Sequence, residues 1–126
     1  MTAAPTSLTY TAAHGWYQSA AAATGARIGI TAHAAEQLGD VIFVELPDVG
    51  STVSAGQIYG EVESTKSVSE LYAPVSGQVT AVNEAVVDDP TLINSDPYGA
   101  GWLLEISVTE VPTDLLSAEQ YLGTTA

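Results

Sequence analysis

The amino-acid sequence predicts a mainly β fold, a flattened antiparallel sandwich with short helices near residues 32–38 and 113–122. One observation is length, because 126 residues with an ordinary hydrophobic fraction of 46% suffice for one domain, residues 1–126, around a single core. The other is pattern, because from residue 40 onward short segments rich in Val, Ile and Tyr alternate with Gly, Pro and Asn. Short strands joined by tight turns are typical of a compact all-β domain.

Two strands and one helix are predicted in the first third of the chain. Residues 15–18 and 26–30 have the composition of strands. The Ala-rich stretch 19–25 between them is predicted to be a connecting loop, because it is short and ends in glycine. Thr31 is a suitable N-cap for the first helix, and Gly39 occupies the position at which a helix commonly ends.

Five further strands follow, and their predicted ranges are 41–44, 58–64, 68–73, 78–83 and 102–108. In the second of these, alternate residues point to opposite sides of the sheet. One set is Ile58, Gly60 and Val62, and the other set is Tyr59, Glu61 and Glu63. We expect one face of this strand to be buried and the other to be wet.

The last third of the chain contains two turn-rich segments, residues 88–90 and 94–99, so we expect a long surface excursion before the last strand. Ser117 and Gln120 have the spacing of a capping box, which predicts a short terminal helix that Gly123 ends. Such a helix is expected to cover a sheet edge or one end of the sandwich.

The charge of the chain is strongly negative because basic residues are nearly absent. Fifteen acidic residues stand against Arg27 and Lys66, which gives a formal net charge of −13 and a pI near 4.1. Binding to nucleic acid or to an anionic membrane depends on Lys and Arg, so both classes of partner are excluded. The expected partners are proteins with basic rims around their binding sites.

Cysteine is absent from the sequence, which excludes disulfides, thiolate nucleophiles and thiolate metal sites. The first ten residues resemble neither a signal peptide nor a transit peptide, and no apolar run approaches the length of a membrane helix. We therefore expect a cytoplasmic monomer, or a mature chain of the mitochondrial matrix if the protein comes from a processed eukaryotic precursor.

Lys66 is the only lysine in the chain, and it stands between two strands that are expected to pair as a hairpin. A lysine at a hairpin tip projects its amine on a flexible four-carbon stem into water, where an enzyme can acylate it. A buried amine would be neither reachable nor free to swing. The position of Lys66 and its small polar neighbours therefore favour an attachment site for a swinging arm over an ordinary surface lysine.

Four segments, in order and at matching spacing, closely resemble the glycine cleavage H protein family. They are residues 38–47 (LGDVIFVELP), 61–67 (EVESTKS), 71–77 (LYAPVSG) and 94–102 (NSDPYGAGW). The resemblance extends from about residue 8 to residue 123. It implies the biotinyl/lipoyl fold, a barrel-sandwich hybrid of two antiparallel sheets.

The resemblance also implies that Lys66 carries covalently bound lipoic acid. Members of the family have an acidic residue before the lysine and another after it, and these correspond to Glu63 and Glu70. The resemblance implies that both contact the arm or the lipoylating enzyme. The sequence departs from the family at two positions, with Gly15 and Ala32 where an acidic residue is usual. These departures bear on the fine contacts of the arm and not on the carrier role.

The function implied by the resemblance is a relay with no catalytic residue in this chain. The lipoyl group accepts an aminomethyl group from a pyridoxal-phosphate glycine decarboxylase and delivers it to a folate-dependent aminomethyltransferase. A flavin-dependent dihydrolipoyl dehydrogenase then reoxidises the arm. A lipoylating enzyme is the remaining implied partner, and in such a system the cofactor carries the chemistry while the protein supplies its position.

Three other carrier roles would use a lysine of the same kind. A biotin carrier is expected to have methionines beside its lysine, whereas Thr65 and Ser67 flank Lys66 and the only methionine is Met1. A lipoyl domain of a 2-oxo-acid dehydrogenase typically has Asp before the lysine, so Thr65 argues against it. A donor of lipoate to other proteins would need the same modified hairpin, so the sequence leaves that alternative open.

Other candidate site residues favour structural roles. His14 and His33 lack a third ligand at a metal-binding spacing, so we expect them to be surface or half-buried side chains. The pair at residues 88–89 is expected to be a solvated turn rather than a cation site. Trp16 and Trp102 are expected to anchor the core.

Overall fold

The structure is a computed structural model that describes the backbone of residues 5–22 and 25–125, with side chains for all of these except 20–22 and 125. The described strands are β1 (Thr9–Tyr10), β2 (Gly15–Ala22), β3 (Gly25–Ile30), β4 (Val41–Glu45), β5 (Thr52–Val53), β6 (Ile58–Ser64), β7 (Val68–Tyr72), β8 (Ser76–Val82) and β9 (Leu104–Glu110). The described helices are α1 (Ala32–Leu38), α2 (Glu84–Asp88), α3 (Leu92–Ser95) and α4 (Ala118–Thr125).

The strands form two antiparallel sheets. One sheet has the order β1-β2-β3-β9-β8-β5, and the other has the order β4-β6-β7. The mainly β fold with two antiparallel sheets and short helices is therefore confirmed. None of the described helices is long and apolar enough to cross a membrane.

The core consists of two clusters of buried apolar side chains. The larger cluster contains residues from both sheets and from α1, α2 and α3, among them Ile28, Leu38, Val62, Leu71, Val86, Ile93 and Ile106. The smaller cluster joins α4 to the first strands, and its buried members are Leu8, Tyr10, Trp16, Ala118 and Tyr121. Because Trp16 is fully buried, its expected role as a core anchor is confirmed.

The predicted loop over residues 19–25 is wrong at residues 19–22 and 25, because β2 continues to Ala22 and β3 begins at Gly25, and residues 23–24 lie outside the described residues. The two strands form a hairpin whose register shifts between Gln18 and Ala22. Alanine is a weak strand former, but pairing with a neighbouring strand overrides a weak local preference.

The alternation expected along β6 fails at its beginning. Ile58 is exposed and Tyr59 is buried, which is the reverse of the expected arrangement. Further along the strand, Glu61 is exposed and Val62 is buried, as expected. A register shift between Ile58 and Gly60 explains the change, because an extra residue in one strand moves the side chains that precede it to the other face.

The expected surface excursion over residues 88–99 is wrong in part, because residue 88 ends α2 and residues 92–95 form α3, whereas residues 97–99 form a turn and residues 88, 89, 91, 95, 96 and 99 are exposed. Val86 and Ile93 from these helices are fully buried. The helices are four and five residues long, too short to show a helical period in the sequence. Val86 and Ile93 pack on the core although turn-forming residues lie nearby, whereas Val87 of α2 is exposed.

The terminal helix begins at Ala118 rather than near residue 113, and it continues past Gly123 to Thr125. The capping box is confirmed, because Ser117 N–H donates to the Gln120 side chain (2.9 Å) and Gln120 N–H donates to Ser117 Oγ (3.2 Å). Just before the helix, Leu116 forms an antiparallel bridge with Tyr10 of β1. This pairing takes the place of the first turn of the predicted helix.

Asn94 fixes the corner between α1 and β4. Its Oδ1 accepts from Val41 N–H (2.9 Å), and its Nδ2 donates to the carbonyl oxygen of Gly39 (2.7 Å). One side chain therefore satisfies the backbone on both sides of the corner at Gly39 and Asp40 that leads from the helix into the strand.

We predict that Asn94→Ala lowers the free energy of unfolding by about 2 kcal/mol, because it leaves the partly buried Val41 N–H and the Gly39 carbonyl without their partner. Urea denaturation measures the change. Ser95→Ala, at the next and exposed position of α3, is the control and should change stability by less than about 0.5 kcal/mol. Equal effects of the two substitutions would contradict the role of Asn94.

Candidate functional site

Lys66 lies in the turn of the β6–β7 hairpin, and Ser64 holds that turn. The backbone N–H of Ser64 donates to the Ser67 carbonyl (2.8 Å), and Ser64 Oγ accepts from the N–H groups of Lys66 (3.2 Å) and Ser67 (3.1 Å). Ser64 is buried, whereas Lys66 is exposed. A short buried hydroxyl thus satisfies the backbone of the turn and leaves the lysine side chain in water.

The tip of the hairpin is joined to the corner after α1. Thr65 N–H donates to the Asp40 carbonyl (3.1 Å), which ties the turn to the start of β4. Beside this bond, Gly39 ends α1 with a φ of 79°, a conformation that favours glycine. A Cβ atom at Gly39 would lie 3.1 Å from Cε of Lys66, so the missing side chain makes room for the lysine stem.

A cavity of about 320 Å³ begins beside the lysine turn and runs along β7. Its walls are residues 67–72 of the hairpin, the inner side of α1, the turn at residues 13–15, the end of β3 and two residues of β6. The apolar wall residues include Ile30, Ala34, Leu38, Val62, Val68 and Leu71. The lysine therefore stands at one end of an open groove that is lined by both apolar and polar groups.

β7 is the edge strand of its sheet, and its free edge faces this cavity. Ser64 and Ser67 form a hydrogen-bonded pair, so Val68 and Glu70, which lie opposite Glu63 and Glu61, belong to non-hydrogen-bonded pairs. Their backbone N–H and C=O groups consequently point away from β6. The cavity offers polar backbone groups along one wall and a mixture of apolar and polar side chains along the others.

The structure separates the two acidic residues expected near the arm. Glu70 lines the cavity, and its Oε1 accepts a long hydrogen bond from the Tyr72 hydroxyl (3.4 Å). Glu63 is half-buried between its cross-strand neighbours Phe43 and Val68 and does not line the cavity. Glu70 can therefore contact a group bound in the cavity. Glu63 instead lies on the outer side of the hairpin, away from the cavity.

His14 forms part of the opposite wall, and the sequence alone gave no reason to connect it to Tyr121. His14 Nδ1 is 2.7 Å from the Tyr121 hydroxyl, which is 2.7 Å from Oγ1 of the helix-capping residue Thr31. His14 has a φ of 69°, uncommon for a residue other than glycine. The ring centroids of His14 and His33 are 5.0 Å apart. The pKa of His14 is lowered mainly by burial and to a smaller extent by repulsion from His33.

The hydrogen-bond chain links His14 to the cap of α1. Thr31 Oγ1 accepts from Ala34 N–H (3.2 Å), and the Tyr121 hydroxyl lies within hydrogen-bond distance of both Thr31 Oγ1 and His14 Nδ1. A hydroxyl both donates and accepts, so the Tyr121 hydroxyl bridges the two groups in either direction of the chain.

Comparison with known proteins agrees with this geometry. The family model of the glycine cleavage H-protein matches residues 8–126. The chain belongs to this family. Glycine cleavage system H proteins of Corynebacterium jeikeium and Thermobifida fusca are each 58% identical to it, the first over 96% of both chains and the second over 93% of this chain and 91% of the relative.

A solved structure supports the same assignment. The crystal structure of a glycine cleavage system H protein from Mycobacterium marinum matches with a TM-score of 0.90 and 54% identity, covering 97% of this chain and 98% of that one. The H protein is the lipoyl carrier of the glycine cleavage system, so family membership confirms the carrier function expected from the sequence. Membership in that system also implies its other enzymes as partners.

The two departures from the family pattern lie in different surroundings. Gly15 is buried in the cavity wall, where an added Cβ would lie 3.3 Å from Oγ1 of Thr11, so a side chain there requires a small shift. Ala32 begins α1, donates its N–H to the Tyr98 hydroxyl (3.0 Å) and does not line the cavity. The departure at Gly15 therefore bears on the cavity, and the departure at Ala32 does not.

The remaining candidate residues have structural contacts. Trp102 is half-buried, and the Arg27 guanidinium lies 4.5 Å above its ring and 3.0 Å from the Glu105 carboxylate. Trp102 packs against the smaller apolar cluster and also supports the only arginine, so it contributes to the core from its edge rather than as a fully buried anchor. The described residues contain no group of three or more His, Asp or Glu side chains that could hold a metal ion.

We predict that Gly39→Ala slows lipoylation of Lys66, because the added methyl group meets the lysine stem and the backbone conformation disfavours alanine. Intact-mass measurement during in-vitro modification gives the rate. Gly56→Ala is the matched control, since Gly56 also has a positive φ, 83°, but has no atom within 4 Å of its added Cβ. Equal rates for the two variants would show that Gly39 does not matter to the lysine.

We predict that His14 makes the chain less stable below about pH 6.5. The folded state holds the pKa of His14 below its ordinary value, so on acidification the unfolded state binds a proton before the folded state does. The free energy of unfolding should fall from about pH 7.5 to about pH 5.5 by more in the native chain than in His14→Asn. Asparagine is chosen because it tolerates a positive φ.

Urea unfolding at the two pH values provides this comparison, and an NMR titration reports the pKa of His14 directly. His33→Gln removes one cause of the shift, so it should raise the pKa of His14. An identical pH dependence in the native chain and in His14→Asn would refute the assignment.

Proposed function

We propose that Lys66 is the lipoyl attachment site and that this chain carries the arm without catalysing a step itself. The observation that carries the proposal is that the only lysine of the sequence is exposed at a fixed hairpin tip, at the mouth of a cavity. The lipoylating enzyme must reach an ε-amine, and the tip offers it one. The Ser64 hydrogen bonds hold the turn, so only the lysine side chain has to adapt to that enzyme.

The cavity suits a long arm that is apolar along most of its length and has one amide group. Ile30, Leu38 and Leu71 would contact the hydrocarbon part. The outward backbone groups of Val68 and Glu70 would hydrogen-bond to an amide. When bound, the lipoyl group supplies the disulfide chemistry that accepts the aminomethyl group.

The residues of the cavity would shelter and retain what the arm carries. A cationic amine is attracted to the Glu70 carboxylate at the rim, and the groove limits the access of water. Gly15 leaves the facing wall without a second acid, so retention depends on Glu70 and on backbone groups. The absence of cysteine from the sequence means that the chain has no thiol of its own to exchange with the arm.

The proposed partners are glycine decarboxylase, aminomethyltransferase, dihydrolipoyl dehydrogenase and the lipoylating enzyme. A tethered arm meets each of them at a high effective concentration once the carrier has docked. The bacterial relatives support a cytoplasmic location for this relay. The carrier is proposed to act as a monomer of one domain.

We predict that Lys66→Arg abolishes relay activity while leaving the fold intact, because arginine keeps the positive charge but has no acylatable amine. Intact mass after incubation with the lipoylating enzyme should show one lipoyl group on the native chain and none on the variant. Circular dichroism checks the fold. Lipoate found on another residue by peptide mapping, or an active Lys66→Arg protein, would refute the proposal.

We predict that Glu63→Gln combined with Glu70→Gln slows lipoylation in vitro, because both carboxylates flank the tip that the lipoylating enzyme must recognise by shape and charge. Loss of two charge contacts should reduce the modification rate by about tenfold at low salt. Glu110→Gln combined with Glu119→Gln removes the same charge from β9 and α4 and is the control. Unchanged kinetics would show that Glu63 and Glu70 are only solvated strand residues.

A further inference from the structure

His14 lies in the wall of the cavity beside the lysine turn, here called the arm cavity, and its backbone is fixed there. Of the two histidines of the sequence, His14 lines the arm cavity and His33 does not. His14 N–H donates to the Thr11 carbonyl (3.1 Å), and the His14 carbonyl accepts from Thr31 N–H (3.0 Å). These bonds tie the turn at residues 13–15 to the residue after β1 and to the cap of α1.

The ring of His14 is also held in place. Its Nδ1 is 2.7 Å from the Tyr121 hydroxyl, and that hydroxyl is 2.7 Å from Thr31 Oγ1. Protonation of the ring does not break this contact, because the hydroxyl can accept from an imidazolium at Nδ1 and donate to Thr31 Oγ1. A positive charge on His14 therefore appears inside the cavity wall instead of moving into the solvent.

The titratable side chains around His14 come from α1, α4 and the β6–β7 hairpin. They are His33, Tyr121, Tyr59, Glu70 and Tyr72. Burial raises the pKa of Tyr59 and of Tyr121, so both hydroxyls stay neutral. Among the described residues, Glu70 is the one carboxylate that lines the arm cavity. The charge that a bound group meets inside the cavity is therefore set by Glu70 and by the protonation of His14.

At neutral pH the ring of His14 is uncharged, because burial lowers its pKa and repulsion from His33 lowers it further. Lipoylation turns the Lys66 amine into a neutral amide, so an empty arm brings no charge into the cavity. A cationic amine on the arm is attracted by Glu70 and meets no opposing charge. When the pH falls below the pKa of His14, a charge of the same sign as the amine appears in the facing wall.

We propose that His14 controls, by binding a proton, whether a cationic group on the arm stays in the arm cavity. The neutral ring allows the amine to remain beside Glu70, and the protonated ring drives it out. The proposal rests on the carrier function proposed above. In this role His14 is a positioning residue, because it acts through the electric field of the cavity and takes no part in a covalent step. A neutral group on the same arm is outside this control.

Proton binding and cargo binding oppose each other by the same factor, because the linkage between two binding sites is reciprocal. An amine held in the cavity disfavours the charged ring and so lowers the pKa of His14 further. Two like charges in one partly hydrated groove are expected to shift this pKa by about half a unit, which corresponds to about threefold weaker retention at low pH. The effect of the amine on His14 can therefore be measured without any enzyme.

The test uses the full-length lipoylated chain with a permanent charge placed on its arm. After reduction of the lipoyl group, bromoethylamine alkylates the thiols: each new S–C bond replaces a C–Br bond, bromide and a proton leave, and a cationic amine remains. Iodoacetamide gives a neutral arm of similar size as the matched control. The sequence has no cysteine, so both reagents find thiols only on the arm. In an NMR titration, the pKa of His14 should be about half a unit lower with the cationic arm than with the neutral arm.

The consequence for retention is measured on the aminomethyl-loaded chain. Ammonia release from the isolated chain is compared at about pH 7.5 and about pH 5.5, on either side of the ordinary histidine pKa. Acid acts on an exposed aminomethyl group in the same way in every variant, so the result is the difference between variants. The increase on acidification should be about threefold larger in the native chain than in His14→Asn, whose side chain cannot bind a proton.

His33→Gln tests whether His14 alone responds to the arm. The substitution should raise the pKa of His14 with both arms and preserve the difference between them, because His33 does not line the arm cavity. Loss of the difference in this variant would assign the response to the pair of histidines and contradict the role of His14.

An equal pKa of His14 with the two arms, or a higher pKa with the cationic arm, overturns the proposal. An equal increase of ammonia release in the native chain and in His14→Asn does so as well. The NMR comparison uses the native chain, so it does not depend on the folding of a variant. Intact mass measured before alkylation shows whether Lys66 carries lipoate, so failure of the carrier function is recognised at that step and is distinct from an unchanged pKa.

Discussion

The hydrogen bond between Thr65 N–H and the Asp40 carbonyl joins the lysine hairpin to the corner where α1 meets β4. The Asn94 side chain donates a hydrogen bond to the Gly39 carbonyl at the same corner, and the missing side chain of Gly39 leaves space for the lysine stem. If the hairpin and the corner were independent, the distance between β7 and α1 would vary and the cavity between them would not keep its shape. The hairpin tip that bears Lys66 and the cavity beside it are therefore parts of one connected arrangement.

The far wall of the cavity depends on the C-terminal helix. Tyr121 reaches from α4 to Thr31, which caps α1, and to His14, which lines the cavity. Tyr121 also stacks on Tyr10 with ring centroids 5.0 Å apart, inside the smaller apolar cluster. Packing of a helix remote in sequence thus fixes the position of a cavity residue. Shelter for the arm is a property of the whole chain rather than of the hairpin.

The scarcity of basic residues has different consequences on the two sheets. Arg27 is paired with Glu105 and lies over the ring of Trp102, whereas Lys66 stands exposed at the hairpin tip. On the β4-β6-β7 sheet, Glu45, Glu61 and Glu70 form a row across adjacent strands, and within the described part of the chain none of the three forms an ion pair. Like charges opposite each other across strands oppose folding, so this row contributes no stability to the isolated chain.

The sequence by itself determined the mainly β architecture, the caps at Thr31 and Ser117, and the place of Lys66 in a hairpin. These features depend on residues within a few positions of one another, so local pattern contains them. The pairing of Glu63 with Phe43 and the row of three glutamates depend on strands that meet only in the folded sheet. Their register includes shifts that no local pattern encodes.

Tertiary structure alone decided the remaining parts of the site. The bulge at Ile58 reversed the faces of β6 at its start, and Ile93 is buried in a short helix, α3, within the turn-rich segment. The role of Asn94 and the contact between His14 and Tyr121 join residues more than 50 positions apart in the chain. A sequence states which groups can hydrogen-bond or be buried, but only packing brings distant groups within 3 Å of each other, and packing is a property of the whole core.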